Sequence, residues 1–149
     1  MMKLSADGNL LWQKIRGGLS EDFLKTILPA PDNGFFAVGN SKSGSGPNKA
    51  EASIGTDFWV IKYDSLGNFV WEKTIQGNLE DLCVDAIVTP SGEVVIGGSS
   101  NSNIAYDKSQ AAAKQSFYND NSFYFMEDGF WDLWLIKLDA AGNFIWQKR

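Results

Sequence analysis

Apolar residues in this chain come in short runs, each cut off by a polar turn containing glycine. Phe58-Trp59-Val60-Ile61-Lys62-Tyr63 is one run, Asp64-Ser65-Leu66-Gly67-Asn68 interrupts it, and Phe69-Val70-Trp71-Glu72-Lys73 is the next. Branched and aromatic side chains fit a pleated, half-buried surface, so such runs predict strands. Asp caps a tight turn through its own carboxylate and Gly accepts positive φ, so the residues between them predict a hairpin. The same reasoning makes strands of Leu24–Leu28 and Phe35–Gly39 around Pro31-Asp32-Asn33-Gly34. It also makes strands of Val84–Thr89 and Val94–Gly98 around Pro90-Ser91-Gly92.

The pattern recurs. Lys3 to Lys14 reads KLSADGNLLWQK, Lys62 to Lys73 reads KYDSLGNFVWEK, and Lys137 to Lys148 reads KLDAAGNFIWQK, with starts 59 and then 75 residues apart. A period in this range marks one supersecondary unit used repeatedly. The likeness extends further. A shift of 59 puts Gly18 on Gly77, Asp22 on Asp81, Gly39 on Gly98 and Ser41 on Ser100. A shift of 75 puts Asp57 on Asp132, Trp59 on Trp134 and Ile61 on Ile136. The excess in the second interval falls between Ser100 and Asp132.

Each full unit therefore holds four short antiparallel strands. Several are apolar on both faces, which suits sheets stacked between other sheets. Four-stranded units in series read as blades of a β-propeller; a β-solenoid or other stacked array is the alternative. On this reading residues 1–15 end a preceding blade, 16–75 form a blade, and 76–149 form a blade with a long loop over 101–131. Lys3-Leu4-Ser5 is the tail of a third strand, and nine strands are one more than two blades need. The chain is thus expected to be a segment of a longer array, or a protomer whose extra strand pairs with another chain.

The motif D-x-W-[LV]-I-K-[YL]-D-x-x-G-N-x-x-W-[EQ]-K, followed by Gly, Glu-Asp and G-x-x-x-x-G-x-S, resembles the propeller-like repeats of large surface and secreted proteins of Bacteroidetes-type bacteria. The Gly-Asn-x-x-Trp ending is also similar to blades of pyrroloquinoline-quinone propellers, although none of their cofactor-binding residues has a counterpart here. The resemblance implies an extracellular or cell-surface location. It also implies a packing role for Trp12, Trp71 and Trp146, each docking one blade on the next.

Composition narrows the chemistry. The net charge of −5 has no basic run to offset it, so the chain repels phosphate backbones and nucleic-acid binding is not expected. There is no His, which removes the commonest general base and metal ligand. A single Cys, Cys83, excludes an internal disulfide and a CxxC pair; it stands where the neighbouring unit has Leu24 and reads as a small buried hydrophobe. No run reaches the ~18 apolar residues of a membrane helix.

The acidic residues do not assemble a reaction centre. Asp64 and Asp139 each precede a Gly-Asn turn and offer one carboxylate apiece, well short of the six to eight oxygens Ca²⁺ takes. They read as hydrogen-bonded turn residues, and Asp57 and Asp132 as caps or blade-to-blade pairs. Glu21-Asp22 and Glu80-Asp81 are neighbours whose side chains point apart on an extended chain, so neither makes a hydrolase pair. No enzyme activity and no cofactor or metal is expected.

The loops carry the functional expectation. Lys42–Thr56 is rich in Ser, Gly, Asn and Ala and reads as flexible. Tyr106–Gln115 has the composition for a helical turn or two. Beyond it, Tyr118, Asn119, Asp120, Asn121, Phe123 and Tyr124, with Trp131, mix rigid aromatics with short polar groups, the composition of recognition surfaces. Sugar binding uses the same set. The expectation is a non-enzymatic binding or scaffold module meeting a glycan or a protein through these residues. The bland reading is that they fold back as a small core for the loop. A non-catalytic stretch of a propeller enzyme (a quinoprotein or glycan hydrolase) and a structural spacer are the alternatives. Trp59, Trp134, Gly67 and Gly142 join the three docking tryptophans as structural residues of the repeat.

Overall fold

The structure, a computed structural model, describes residues 1–110, 117–119, 122–124 and 131–149; for 117–119 and 122–124 it describes the backbone. It is all-β, and no helix occurs among the described residues. Strands β3 (Asp22–Pro29), β4 (Phe35–Ser41), β5 (Asp57–Tyr63) and β6 (Phe69–Ile75) form an antiparallel meander in chain order. Strands β7 (Asp81–Val88), β8 (Val94–Ser100), β11 (Asp132–Leu138) and β12 (Phe144–Lys148) form a second sheet of the same order. Between β8 and β11 lies a separate two-stranded sheet of β9 (Phe117–Asn119) and β10 (Ser122–Tyr124). The chain begins with a hairpin of β1 (Met2–Leu4) and β2 (Leu10–Gln13).

The repeat survives to the level of register. One residue bulges at Lys25 in β3 and at its counterpart Val84 in β7. The third strands of all three units slip just before the turn, at Lys3/Leu4, Lys62/Tyr63 and Lys137/Leu138. Those turns share one chemistry. Gly8, Gly67 and Gly142 sit at φ 82°, 75° and 87°, a left-handed conformation that costs a side-chain-bearing residue dearly. In each, the Gly N–H closes the turn on the residue three before it, Ser5, Asp64 or Asp139.

Stacking then makes the core. Phe36, Val38, Phe58 and Val60 of the first sheet meet Cys83, Val94, Ile96, Trp134, Ile136 and Leu138 of the second in one buried cluster. Phe58 and Trp134 tilt against each other at 5.4 Å. The other face of the first sheet, Ala37, Trp59, Ile61 and Tyr63, is covered by Met1 of the β1–β2 hairpin. Strand β5 is consequently buried along its whole length. The chain is thus built of two four-stranded antiparallel sheets stacked face to face, the first of which has apolar residues packed on both of its faces.

Three loop expectations change. Lys3 and Leu4 are more than a strand tail: they pair with Trp12 and Leu10 as β1. Residues 106–110 form no helix; Ala105 and Lys108 close a tight turn with Tyr106 at φ 52°, and 111–115 lie outside the described residues. Lys42–Thr56, read as flexible from its composition, is a packed return in which Ser43, Lys49 and Thr56 are buried. Its small residues let the backbone fold tightly around polar side chains, which composition alone does not reveal.

Candidate functional site

Three places bring side chains together beyond ordinary core packing, and a fourth is marked out by its backbone pairing. The first is the contact between each unit's closing tryptophan and the next unit's turn. Trp12 lies on Gly67, where an added Cβ would stand 2.7 Å from the indole, and Trp71 lies on Gly142, where it would stand 3.0 Å away. The Trp71 indole N–H also donates to the Ala140 carbonyl at 3.1 Å. At the earlier contact the corresponding carbonyl, Ser65, is taken by Lys3 Nζ at 3.2 Å, and the Trp12 N–H is buried without a partner. Trp146, in the same place on β12, is half-buried.

The second place is a buried polar layer at the opposite end of the sheets, built twice. Asp22 Oδ2 accepts from Gly18 N–H and Ser43 Oγ at 2.8 and 2.9 Å, while Asp81 Oδ2 accepts from Ser102 Oγ at 3.0 Å. Lys49 and Lys108, both buried, lie 5.4 Å over the rings of Trp59 and Trp134. The two indoles donate to Glu72 and Gln147 at 3.1 and 3.0 Å. Asp57 is fully buried and accepts from the Ile54 and Gly77 N–H groups at 2.6 and 3.1 Å. Burial pushes its carboxyl up to about 7, with the nearby Asp81 adding to the rise and the two N–H donors opposing it. Burial raises Asp81 as well, and lowers Lys49 and Lys108. Asp57, Asp81, Lys49 and Lys108 are buried, and the layer holds the loops to the sheets.

The third place is a cleft of about 160 Å³ on the first sheet, beside the β1–β2 hairpin, lined by Met1, Arg16, Asp22, Leu24, Ala37, Trp59, Ile61 and Tyr63 among others. Arg16 is held by Glu72 at 3.2 Å. The Tyr63 hydroxyl and Asp22 Oδ1 are buried without a hydrogen-bond partner. Sequence reasoning did not anticipate this cleft, yet the repeat contains a signal for it. Leu24, Ala37, Gly39, Trp59, Ile61 and Tyr63 correspond to Cys83, Ile96, Gly98, Trp134, Ile136 and Leu138, which on the second sheet lie beneath the first. The cleft is a stacking face that the hairpin covers only in part.

The fourth place is the aromatic insertion. Tyr118 and Asn119 lie on β9, and Phe123 and Tyr124 on β10, in a hairpin that pairs Tyr118 with Phe123 and Asn119 with Ser122. Asp120 and Asn121, the two residues between its strands, lie outside the described residues. Trp131, just before β11, is 46% exposed. The backbone thus brings four of the seven residues onto one hairpin, with Trp131 at the entry to the second sheet.

The acidic turn residues are satisfied locally. Asp64 accepts from the N–H groups of Leu66 and Asn68 and from the Asn68 amide, and Asp139 repeats this with Ala141 and Asn143. Those hydrogen bonds hold both carboxyls below their ordinary range. Among the described residues no group of three His, Cys, Asp or Glu side chains is placed to hold a metal ion. Cys83 is buried, and desolvation pushes its thiol up to about 12.

Neither protein-family models nor curated protein sequences match this chain.

Proposed function

We propose that this chain is a non-enzymatic binding or scaffold module of a bacterial surface or secreted protein, its four-stranded sheets being blades of a β-propeller. The inserted hairpin carries the recognition surface, for a glycan or a protein, through Tyr118, Asn119, Asp120, Asn121, Phe123, Tyr124 and Trp131. One observation supports this reading above the others. The two units match in strands, bulges and polar layer, and the second departs from the first by an insertion that forms its own two-stranded sheet. Variable segments on a rigid scaffold are where recognition concentrates, because the scaffold fixes them while leaving their sequence free. The location at a cell surface rests on the resemblance of the repeat motif.

The test is a triple variant, Tyr118→Ala, Tyr124→Ala and Trp131→Ala, compared with the wild type on a glycan array and by thermal melting. Glycan binding by the wild type, lost in the variant at unchanged Tm, supports the reading. A large fall in Tm would show that these aromatics pack as a loop core, and would overturn it.

A further inference from the structure

The Trp-on-Gly contact is made twice inside the chain, and among the described residues each half of it also occurs once without the other. Gly8 has the same turn and the same positive φ as Gly67 and Gly142, yet no atom lies within 4 Å of where its Cβ would stand. Trp146 stands on β12 where Trp71 stands on β6. The surfaces around them repeat the two sides of the internal interface. Met2 and Leu4, counterparts of the buried Ile61 and Tyr63, are 63% and 49% exposed beside the Gly8 turn. Leu133, the counterpart of the buried Phe58, is 58% exposed on the face of the second sheet turned away from the first.

We propose that the chain binds a second copy of itself head to tail, Trp146 of one copy docking on the Gly8 turn of the next. The internal contacts specify the details. The Trp146 indole N–H donates to the Ala6 carbonyl, as Trp71 does to Ala140. Lys148 reaches Asn9 as Lys14 Nζ reaches Asn68 Oδ1 at 3.2 Å. Leu133 covers the Met2–Leu4 side, continuing the stacking of the first sheet on the second. The two surfaces differ, so the contact is heterologous, and a joined pair keeps one free face of each kind, one on each copy. The inference stands on the internal contacts and does not depend on the glycan or protein reading.

The experiment is sedimentation velocity of the full chain over a wide concentration range, with Trp146→Ala blocking one face and Leu4→Asp the other. The expected result is a wild-type mass that rises above the 16.4 kDa of one chain with concentration, and single-chain mass for each variant. An equimolar mixture of the two variants has one intact face of each kind, and should give a species of two chains and nothing larger. A wild type that keeps single-chain mass throughout overturns the proposal. So does association that persists in both variants, or a mixture that fails to pair. Far-UV circular dichroism checks folding, and Leu133→Asp blocks the Trp146 face should Trp146→Ala misfold.

Discussion

Phe58 in the first sheet and Leu133 in the second hold the same place in the repeat, but Phe58 is sealed while Leu133 is 58% exposed. The difference runs along both strands. Strand β5 is buried at every position, whereas β11 alternates between buried and partly exposed residues. The sequences DFWVIKY and DLWLIKL offer the same apolar pattern to both faces. What separates them is position in the stack: the first sheet lies between the β1–β2 hairpin and the second sheet, and among the described residues the second packs against a sheet on one face. A strand that is apolar on both faces states its capacity to be sandwiched; the neighbouring sheet determines whether it is.

Paired substitutions test this contrast, the largest effect first. Phe58→Ala should cost about 3–5 kcal/mol, the range for emptying a buried aromatic site, whereas Leu133→Ala at low protein concentration should cost roughly 0.5 kcal/mol. Equal losses in urea unfolding would mean that the second sheet's outer face is covered. The turns give a second pair. Gly142→Ala and Gly8→Ala both force a side chain into the left-handed region at roughly 1–2 kcal/mol, but only the first drives a methyl group into Trp71. The Gly142 variant should therefore lose roughly 1 kcal/mol more, and equal losses would show that Trp71 yields freely.

Titration sharpens the contrast between the buried layer and the exposed turns. Asp57 has its carboxyl raised to about 7 in the folded chain, above the unfolded value of 3.8. The folded state then binds more protons than the unfolded state between those values. The stability this group contributes is full below pH 4 and is lost as pH rises through 7. Asp64 and Asp139 are shifted the other way, so their contribution is present above the unfolded pKa and lost as the medium turns acidic. The stability difference between wild type and Asp57→Asn should change between pH 4 and 7 and be level above pH 8. A difference independent of pH would show that Asp57 is not shifted. The smallest effect concerns Cys83: at pH 8 it should resist a thiol reagent in the folded protein and react once unfolded in guanidinium, and rapid native labelling would contradict its burial.

Much of this architecture was legible in the sequence because it is written in local chemistry. Asp64-Ser65-Leu66-Gly67-Asn68 specifies its hairpin through one carboxylate and one glycine, and the third copy repeats it almost atom for atom. The loops were not legible in the same way. Lys49 falls in a stretch whose composition reads as flexible and Lys108 in one that reads as helical, and only the folded chain places them over Trp59 and Trp134. The cleft escaped notice for a related reason: its walls are ordinary core residues, and it is open only because the hairpin covers part of the face. The aromatic insertion was legible as composition, and the pairing of Phe117–Asn119 with Ser122–Tyr124 became visible in the structure.

The sequence by itself determined the unit: which runs become strands, the turn chemistry between them, and the tryptophan that recurs on the last strand of each. These depend on residues a few positions apart, so the pattern of side chains is enough to set them. Only the tertiary structure decided which sheet lies inside, which tryptophan finds a glycine, and which aspartate is stripped of water. Those outcomes depend on what stacks against each face, and burial and desolvation are properties of the neighbours a residue acquires rather than of the residue itself.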